Sequence, residues 1–291
     1  MNVTVIGGSG FLGSHVADAL SQAGHEVTIF DCCESEWLRK DQHMIVGDVL
    51  DQDAIVRATA KSEVVYNFAA IADLNEALDE PLKTVSINIL GNAHVLEACK
   101  ENKVRRFIYA STVYVNSREG GFYRCSKHAS EQYVEEYHRV YGLDYTILRY
   151  GSLYGPRADQ SNGLARIVKT ALETGRIQYR GNADSLREYI HVEDAARASV
   201  LATGEDFCNQ SVVLTGQQPM RVKDLLEMLA EILGIPGEVE FIDEDYTGHY
   251  VRTPYSYQPG IGRKYMPPLH VDLGQGLLQV IEEMQSSSAD G

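Results

Sequence analysis

Tyr123 and Lys127 stand four residues apart in the segment Tyr123-Arg124-Cys125-Ser126-Lys127. On a helix that spacing puts both side chains on one face. An ammonium beside a phenol favours the phenolate, so the pair suits removal of a proton from a hydroxyl group. Ser111 and Thr112 close the preceding run RFIYAST. A hydroxyl at that place can hydrogen-bond to an oxygen losing its proton, or simply satisfy nearby backbone. Near the start, Gly7-Gly8-Ser9-Gly10-Phe11-Leu12-Gly13 spells G-x-x-G-x-x-G.

The glycines have separate tasks. Gly7 permits a tight turn, Gly10 lets backbone N–H groups approach a pyrophosphate, and Gly13 lets helix and strand pack closely. With Phe11 and Leu12 they form the loop that would hold a dinucleotide against a helix N-terminus. Asp31 ends the run EVTIFD, at the distance where a carboxylate accepts hydrogen bonds from the adenosine ribose. It would repel a 2′-phosphate, and no arginine follows immediately, so NAD is expected rather than NADP. Asp48 and Val49 follow the run MIVG, where an aspartate binds the adenine amino group or serves only as a turn residue. With oxidised nicotinamide nearby, the Tyr123 pKa is expected to fall toward working pH.

These residues need a frame, and the hydrophobic pattern supplies one. Apolar runs at 2–7, 26–31, 44–49, 64–70, 106–111 and 144–150 read as strands. Helical spacing covers 11–23, 83–102 and about 123–141. Strands alternating with helices imply an α/β fold, a Rossmann-type doubly wound parallel sheet. After residue 150 the pattern loosens. Residues 163–175 and 221–234 read as helices, 188–203 as a strand leading into a helix, 245–268 as loop, and Asp272 to Met284 as a last helix. The expected division is a cofactor domain over 1–150 with a segment returning near 186–204, a smaller C-terminal lobe over 151–285, and a disordered tail over 286–291.

Composition narrows the partners. The formal net charge of -15 disfavours nucleic acid and anionic membrane, which attract basic surfaces. No stretch is long and apolar enough to span a bilayer, and the opening MNVTVIGGSG runs directly into a strand without the basic region of a signal peptide. A cytoplasmic protein is expected. The five cysteines, Cys32, Cys33, Cys99, Cys125 and Cys208, form no pair with zinc spacing. No metal is expected, and most of the thiols read as small buried apolar groups.

With these motifs in place, the chain resembles the extended short-chain dehydrogenase/reductase family, in its NAD-dependent epimerase/dehydratase group. The likeness runs through GGSGFLG, TIFD, GDV, NFAA, NILGNAHVLEAC, FIYAST, YRCSK, ILRYGSLYGPR, LREYIHVEDAA and VKDLLEMLAEILG. It implies a cofactor domain with a substrate-binding lobe, nucleotide diphosphate sugars as substrates, and a homodimer built from the helices near 83–102 and 123–141. It implies further that Ala69 and Ala70 line the nicotinamide, that Asn88 lies by the cofactor, and that Thr112 is the catalytic hydroxyl. Arg187 matches the arginine that grips the nucleotide diphosphate, and Tyr150 and Arg157 become substrate-lobe candidates. The chain departs from the pattern in three places. Asn67 stands where the family commonly has His, Gly151-Ser152 replaces the usual Phe-Asn, and the segment between Thr112 and Tyr123 is short.

The reaction follows from what is missing. Family dehydratases usually place Asp-Glu directly after the catalytic threonine, and decarboxylases commonly carry a Glu there. Here Thr112 is followed by Val113-Tyr114-Val115, with Glu119 as a carboxylate farther along the loop. An epimerase acting at C4 through a keto sugar is therefore expected. A dehydratase, a decarboxylase or a keto-sugar reductase is the alternative, and a non-catalytic dinucleotide-binding regulator a remote one.

Overall fold

The first strand, β1 (Asn2–Ile6), is apolar on both faces because both are covered. A computed structural model describes residues 1–235, 239–242, 263–265 and 270–289. Beside β1 lie β2 (Glu26–Asp31), β3 (Gln42–Val46), β4 (Val64–Asn67), β5 (Arg106–Thr112) and β6 (Asp144–Tyr150). Strand Gln210–Leu214 adds on beside β6, and strand Arg263–Tyr265 beside that. The described sheet has eight strands, in the spatial order β3-β2-β1-β4-β5-β6 followed by the two late strands, and every pairing is parallel. The order reverses between β1 and β4. In such sheets that switch point opens a crevice at the carboxyl ends of the strands.

Two apolar layers close over the sheet. On one face, Val16, Ala17 and Leu20 of helix α1 (Phe11–Gln22) join Ala195, Ala196 and Ala198 of helix Val192–Leu201. On the other, Ile55 of α2 (Gln52–Thr59) meets Val95 and Leu96 of helix Asn92–Glu101 and Val134 of helix Gly121–Tyr141. A third cluster gathers Leu164 and Val168, Leu225 and Leu229, and Leu277 and Val280 from the helices Gly163–Thr174, Val222–Leu233 and Leu273–Ala289.

The α/β class and the parallel sheet agree with the expectation from the sequence, and several boundaries differ. Helix α2 falls in a stretch with no helix expected; its signal was local, since Asp51 accepts a bond from Ala54 N at 3.0 Å as an N-cap. The helix expected over 83–102 is three pieces, Pro81–Thr84, a π-helical stretch Val85–Gly91, and Asn92–Glu101. Strand Gln210–Leu214 was not foreseen, and the chain thus returns to the sheet beyond 186–204. Most of the expected loop over 245–268 lies outside the described residues, but Arg263–Tyr265 is strand. The last helix runs on to Ala289, so 286–289 is helical where a disordered tail was expected; residues 290–291 lie outside the described residues. Cys99 is the buried thiol, whereas Cys32, Cys33 and Cys125 are exposed, contrary to their reading as buried apolar groups.

The turn after β1 is where a side chain costs most. A Cβ on Gly13 would stand 2.1 Å from Gly7 O, and one on Gly7, whose φ is +77°, would stand 2.5 Å from Ala69 N. All these neighbours are backbone, which cannot swing aside. Gly13→Ala is expected to cost about 3 kcal/mol or more in urea unfolding. Gly163→Ala, facing nothing within 4 Å, should be neutral or stabilising by up to about 1 kcal/mol. Equal midpoints for the two variants would contradict this account.

Candidate active site

Register in the sheet sets the crevice. Ile6 pairs with Phe30 on one side and Asn67 on the other, so the turns after β1, β2 and β4 emerge together. Asn67 shapes the last of these turns: its Oδ1 accepts from Ala69 N at 3.1 Å, and its Nδ2 donates to Asn92 Oδ1 at 2.9 Å. Ala69 and Ala70 are half-buried.

The glycine loop has the features a pyrophosphate requires. Gly10 is the N-cap of α1, with no side-chain cap and no acidic residue in the first turn. A Cβ there would come within 3.5 Å of Gly7 O and nothing nearer, so the glycine leaves open space at the helix N-terminus. Phe11 and Leu12 open the helix, half-buried. Asp31 turns back over this loop: its Oδ2 accepts from Ser9 N at 2.9 Å and its Oδ1 from Cys32 N at 2.7 Å. The Cys32 thiol is pushed up to about 11, first by burial and then by bonding to Asp31, so it stays neutral beside the carboxylate. These residues fit a dinucleotide with a free ribose 2′-hydroxyl. Asp48 is exposed and forms a turn with Leu50 N at 2.8 Å, while Val49 is half-buried against Gly91.

Tyr123 and Lys127 lie in helix Gly121–Tyr141, whose Lys127 face packs on β5. Lys127 Nζ donates to Ala110 O at 2.8 Å and sits 5.9 Å from the centre of the Tyr123 ring. Thr112 ends β5, and its hydroxyl is near enough to the Tyr123 phenol to offset part of the effect of burial on it. Ser111 does not compete for that place: its Oγ donates to Glu131 Oε1 at 2.5 Å. Glu131 also binds Arg149, at 3.0 Å and 2.7 Å, and the ion pair is almost wholly buried. Glu131 was not singled out from the sequence. The signal was its spacing, four residues beyond Lys127 on the same helix face.

Without the cofactor's charge, burial governs both groups of the pair. Burial pushes the phenol up to about 12, with the Thr112 hydroxyl acting the other way. Burial also draws Lys127 down to about 7, against the pull of Glu131. In the cofactor-free protein desolvation outweighs what the neighbours offer to either group.

Four other candidates make bonds within the fold. Tyr150 is a core residue, 4 % exposed, with its hydroxyl 2.6 Å from Ser199 Oγ. Arg157 turns to α1, pairing with Asp18 at 2.7 Å and lying 4.7 Å over the Trp37 ring. Asn88 is buried in the π-helical stretch; it accepts from Ile71 N at 2.7 Å and donates to Ile71 O and Ser126 Oγ at 3.0 and 2.9 Å. It therefore ties the turn after β4 to the Tyr123 helix and does not present its amide outward. Arg187 is buried on the short strand Leu186–Arg187, donating to Leu186 O at 3.0 Å.

Comparisons accord with this geometry. The family model described as NAD dependent epimerase/dehydratase family matches residues 3–213. A putative UDP-glucose 4-epimerase of Methanocaldococcus jannaschii is 24% identical over 98% of this chain and 99% of its own. The crystal structure of UDP-glucose 4-epimerase with UDP-glucose from Thermotoga maritima aligns with a TM-score of 0.83 at 26% identity, over 99% of this chain and 100% of that one. The UDP-glucose 4-epimerase of Thermus thermophilus in complex with NAD aligns at 0.84 and 25%, with the same coverage. Relatives also include dTDP-glucose 4,6-dehydratases and a UDP-N-acetyl-alpha-D-glucosaminuronate decarboxylase.

The Lys127 shift has a consequence for stability. Its folded pKa of about 7 lies below the ordinary 10.5. Between those values the unfolded chain holds a proton that the folded chain has lost, so stability rises with pH across that window. Lys127→Met removes that contribution. Urea unfolding of cofactor-free protein from pH 7 to about 10 should show wild type gaining on Lys127→Met as pH rises. Parallel curves would contradict the lowered pKa.

Proposed function

The chain belongs to the NAD dependent epimerase/dehydratase family, and on that footing we propose that it is an NAD-dependent nucleotide-sugar epimerase, inverting a C4 carbinol through a transient keto sugar. The observation that carries the reading is the short path from Thr112 to Tyr123. Val113, directly after the threonine, is buried at 1 % exposure, and Tyr114 lies against Gly120. Neither supplies the carboxyl group that water elimination or decarboxylation calls for. Glu119, the acid in that path, is exposed on the loop, with its N–H bonded to Ser117 Oγ at 2.9 Å. The relatives named as dehydratases and decarboxylase keep those activities as the second reading.

The assignments are these. Gly7, Gly10, Phe11, Leu12, Gly13 and Asp31 hold NAD, with Ala69 and Ala70 beside its nicotinamide and Asp48 and Val49 at its adenine end. When bound, NAD supplies a hydride acceptor and a positive charge near the phenol. Thr112 orients the sugar hydroxyl, and Tyr123 Oη takes its proton and later returns one to the keto oxygen. Lys127, held by Ala110 O, steadies the charge on Tyr123. Arg187 grips the diphosphate. Residues 1–150, joined by helix Val192–Leu201 and strand Gln210–Leu214, make the cofactor domain. The helices of the third apolar cluster make the substrate lobe. Among the described residues no helix is long and apolar enough to cross a membrane, in keeping with a cytoplasmic setting.

A homodimer completes the reading. Leu82, Val85, Leu90, Phe122 and Tyr133 are exposed on neighbouring helical segments, an apolar surface suited to a second copy. Light scattering at micromolar concentration should give twice the chain mass; a monomer would count against it.

For the reaction, NMR of the protein with NAD and a panel of nucleotide sugars is expected to show one product differing at a single carbinol, with no net NADH. Tyr123→Phe should keep NAD binding and lose about a hundredfold or more in turnover. Accumulation of a 4-keto-6-deoxy sugar, or full activity in Tyr123→Phe, would overturn the proposal.

A further inference from the structure

Strand β2 ends at Asp31, and Cys32 and Cys33 follow it directly, three consecutive residues that can bind a cation. One carboxylate oxygen and the two sulfurs all lie within 4.8 Å of one another. Both thiols are free and exposed, and Cys33 Sγ is 3.9 Å from Asp31 Oδ1. The backbone around them is already held in place. Ser9 Oγ donates to Cys33 O at 3.0 Å, and Ser9 N and Cys32 N each donate to the Asp31 carboxylate.

Two sulfurs and one carboxylate oxygen are the donor types that suit borderline and soft divalent ions. Metal–sulfur bonds of about 2.3 Å at a tetrahedral angle put two sulfurs ~3.8 Å apart, within the span found here. Hard ions such as magnesium prefer oxygen donors and do not match this set. We propose that Asp31, Cys32 and Cys33 form a binding site for a thiophilic divalent cation, zinc or cadmium, and that the cation excludes the adenosine end of the dinucleotide. Binding forms two metal–sulfur bonds and one metal–oxygen bond. Two thiol protons pass to solvent, and no electrons are transferred. The exclusion arises because the carboxylate oxygen bonded to the cation is withdrawn from the ribose hydroxyls, while the cation and its remaining ligand stand over the glycine loop. This second half rests on the assignment of Asp31 to the ribose; the cation site itself does not.

The test uses the full chain without cofactor, titrated with cadmium and read by sulfur-to-cadmium charge-transfer absorption. One cation per chain is expected, with zinc displacing it. Cys32→Ser and Cys33→Ser should each weaken binding at least tenfold, and Cys125→Ser, at another exposed thiol, should leave it unchanged. Saturating NAD should weaken cadmium binding at least tenfold in wild type, and cadmium should weaken NAD binding by the same factor, as linkage requires. Absent absorption in wild type, or absorption persisting when both Cys32 and Cys33 are serine, would overturn the cation site. Cadmium bound at the two cysteines but indifferent to NAD would overturn the exclusion, provided calorimetry shows NAD binding to the cation-free chain. If NAD fails to bind that chain, the cofactor reading falls, while the cation site stands or falls on the cysteine variants.

Discussion

The chain passes so close to itself at the switch point that three backbone segments share space meant for none of their side chains. Gly13 touches Gly7, and Gly7 in turn touches the peptide joining Phe68 and Ala69. This contact draws the start of α1 onto the turn after β1 and seats both against the end of β4. Everything in the crevice is measured from it. Asp31 reaches Ser9 N because the glycine loop is pulled down between β1 and β2. The turn after β4 stands beside the loop because no side chain separates them. A parallel sheet whose central strands are buried on both faces supplies the stiffness to hold such an approach, its layers packed by α1, α2 and their neighbours.

A second constraint lies under the helix that carries Tyr123. Burying Glu131 and Arg149 costs free energy that the pair recovers only through well-made bonds. The bonds are present: the carboxylate accepts from the guanidinium at two points and from Ser111 Oγ. That commitment fixes the roles of two adjacent hydroxyls. Ser111 spends its hydroxyl on the ion pair, which leaves Thr112, the next residue and the end of the strand, as the free hydroxyl near Tyr123. Asn88 acts from the far side. Its amide spans Ile71 and Ser126, so the turn after β4 and the Tyr123 helix are held at one separation. The π-helical stretch that contains Asn88 widens the helix where this reach is needed; such local irregularities concentrate at functional sites.

What was legible in the sequence follows the range of the forces involved. The sheet was legible through Val3, Val5 and Ile6, Val27 and Ile29, and Phe107 and Ile108, because burial on both faces demands apolar residues in unbroken runs. The glycine loop was legible because only glycine tolerates those backbone distances. The partners of Tyr150 and Arg157 were not legible, because nothing local tells which distant element a polar group will meet. Tyr150 finds Ser199, 49 residues on, and Arg157 finds Asp18, 139 residues back. Glu131 was passed over for a related reason. A glutamate on an amphipathic helix ordinarily faces water, and its burial depends on Arg149 arriving from β6. Gln210–Leu214 escaped because it opens on Gln and Ser and offers only Val212, Val213 and Leu214 as an apolar run, although the sheet edge at β6 needed a partner.

The two pKa shifts at Tyr123 and Lys127 point in directions that each work against ionisation. A phenol near 12 resists losing its proton, and an amine near 7 is only partly charged at neutral pH. The same burial causes both, and it follows from packing the Lys127 face of the helix on β5. Such a pair is inert as a base until positive charge arrives in the low-dielectric space between the helix and the switch point, where charge acts over short distances with little screening. The nearest fixed carboxylate, Glu131, favours the ammonium but is already occupied by Arg149 and Ser111. Its influence on Lys127 is therefore partial. On the proposed reading, proton transfer at Tyr123 would follow cofactor occupancy through the charge that the cofactor brings. A buried pair of this kind discriminates between loaded and unloaded protein through the charge it meets.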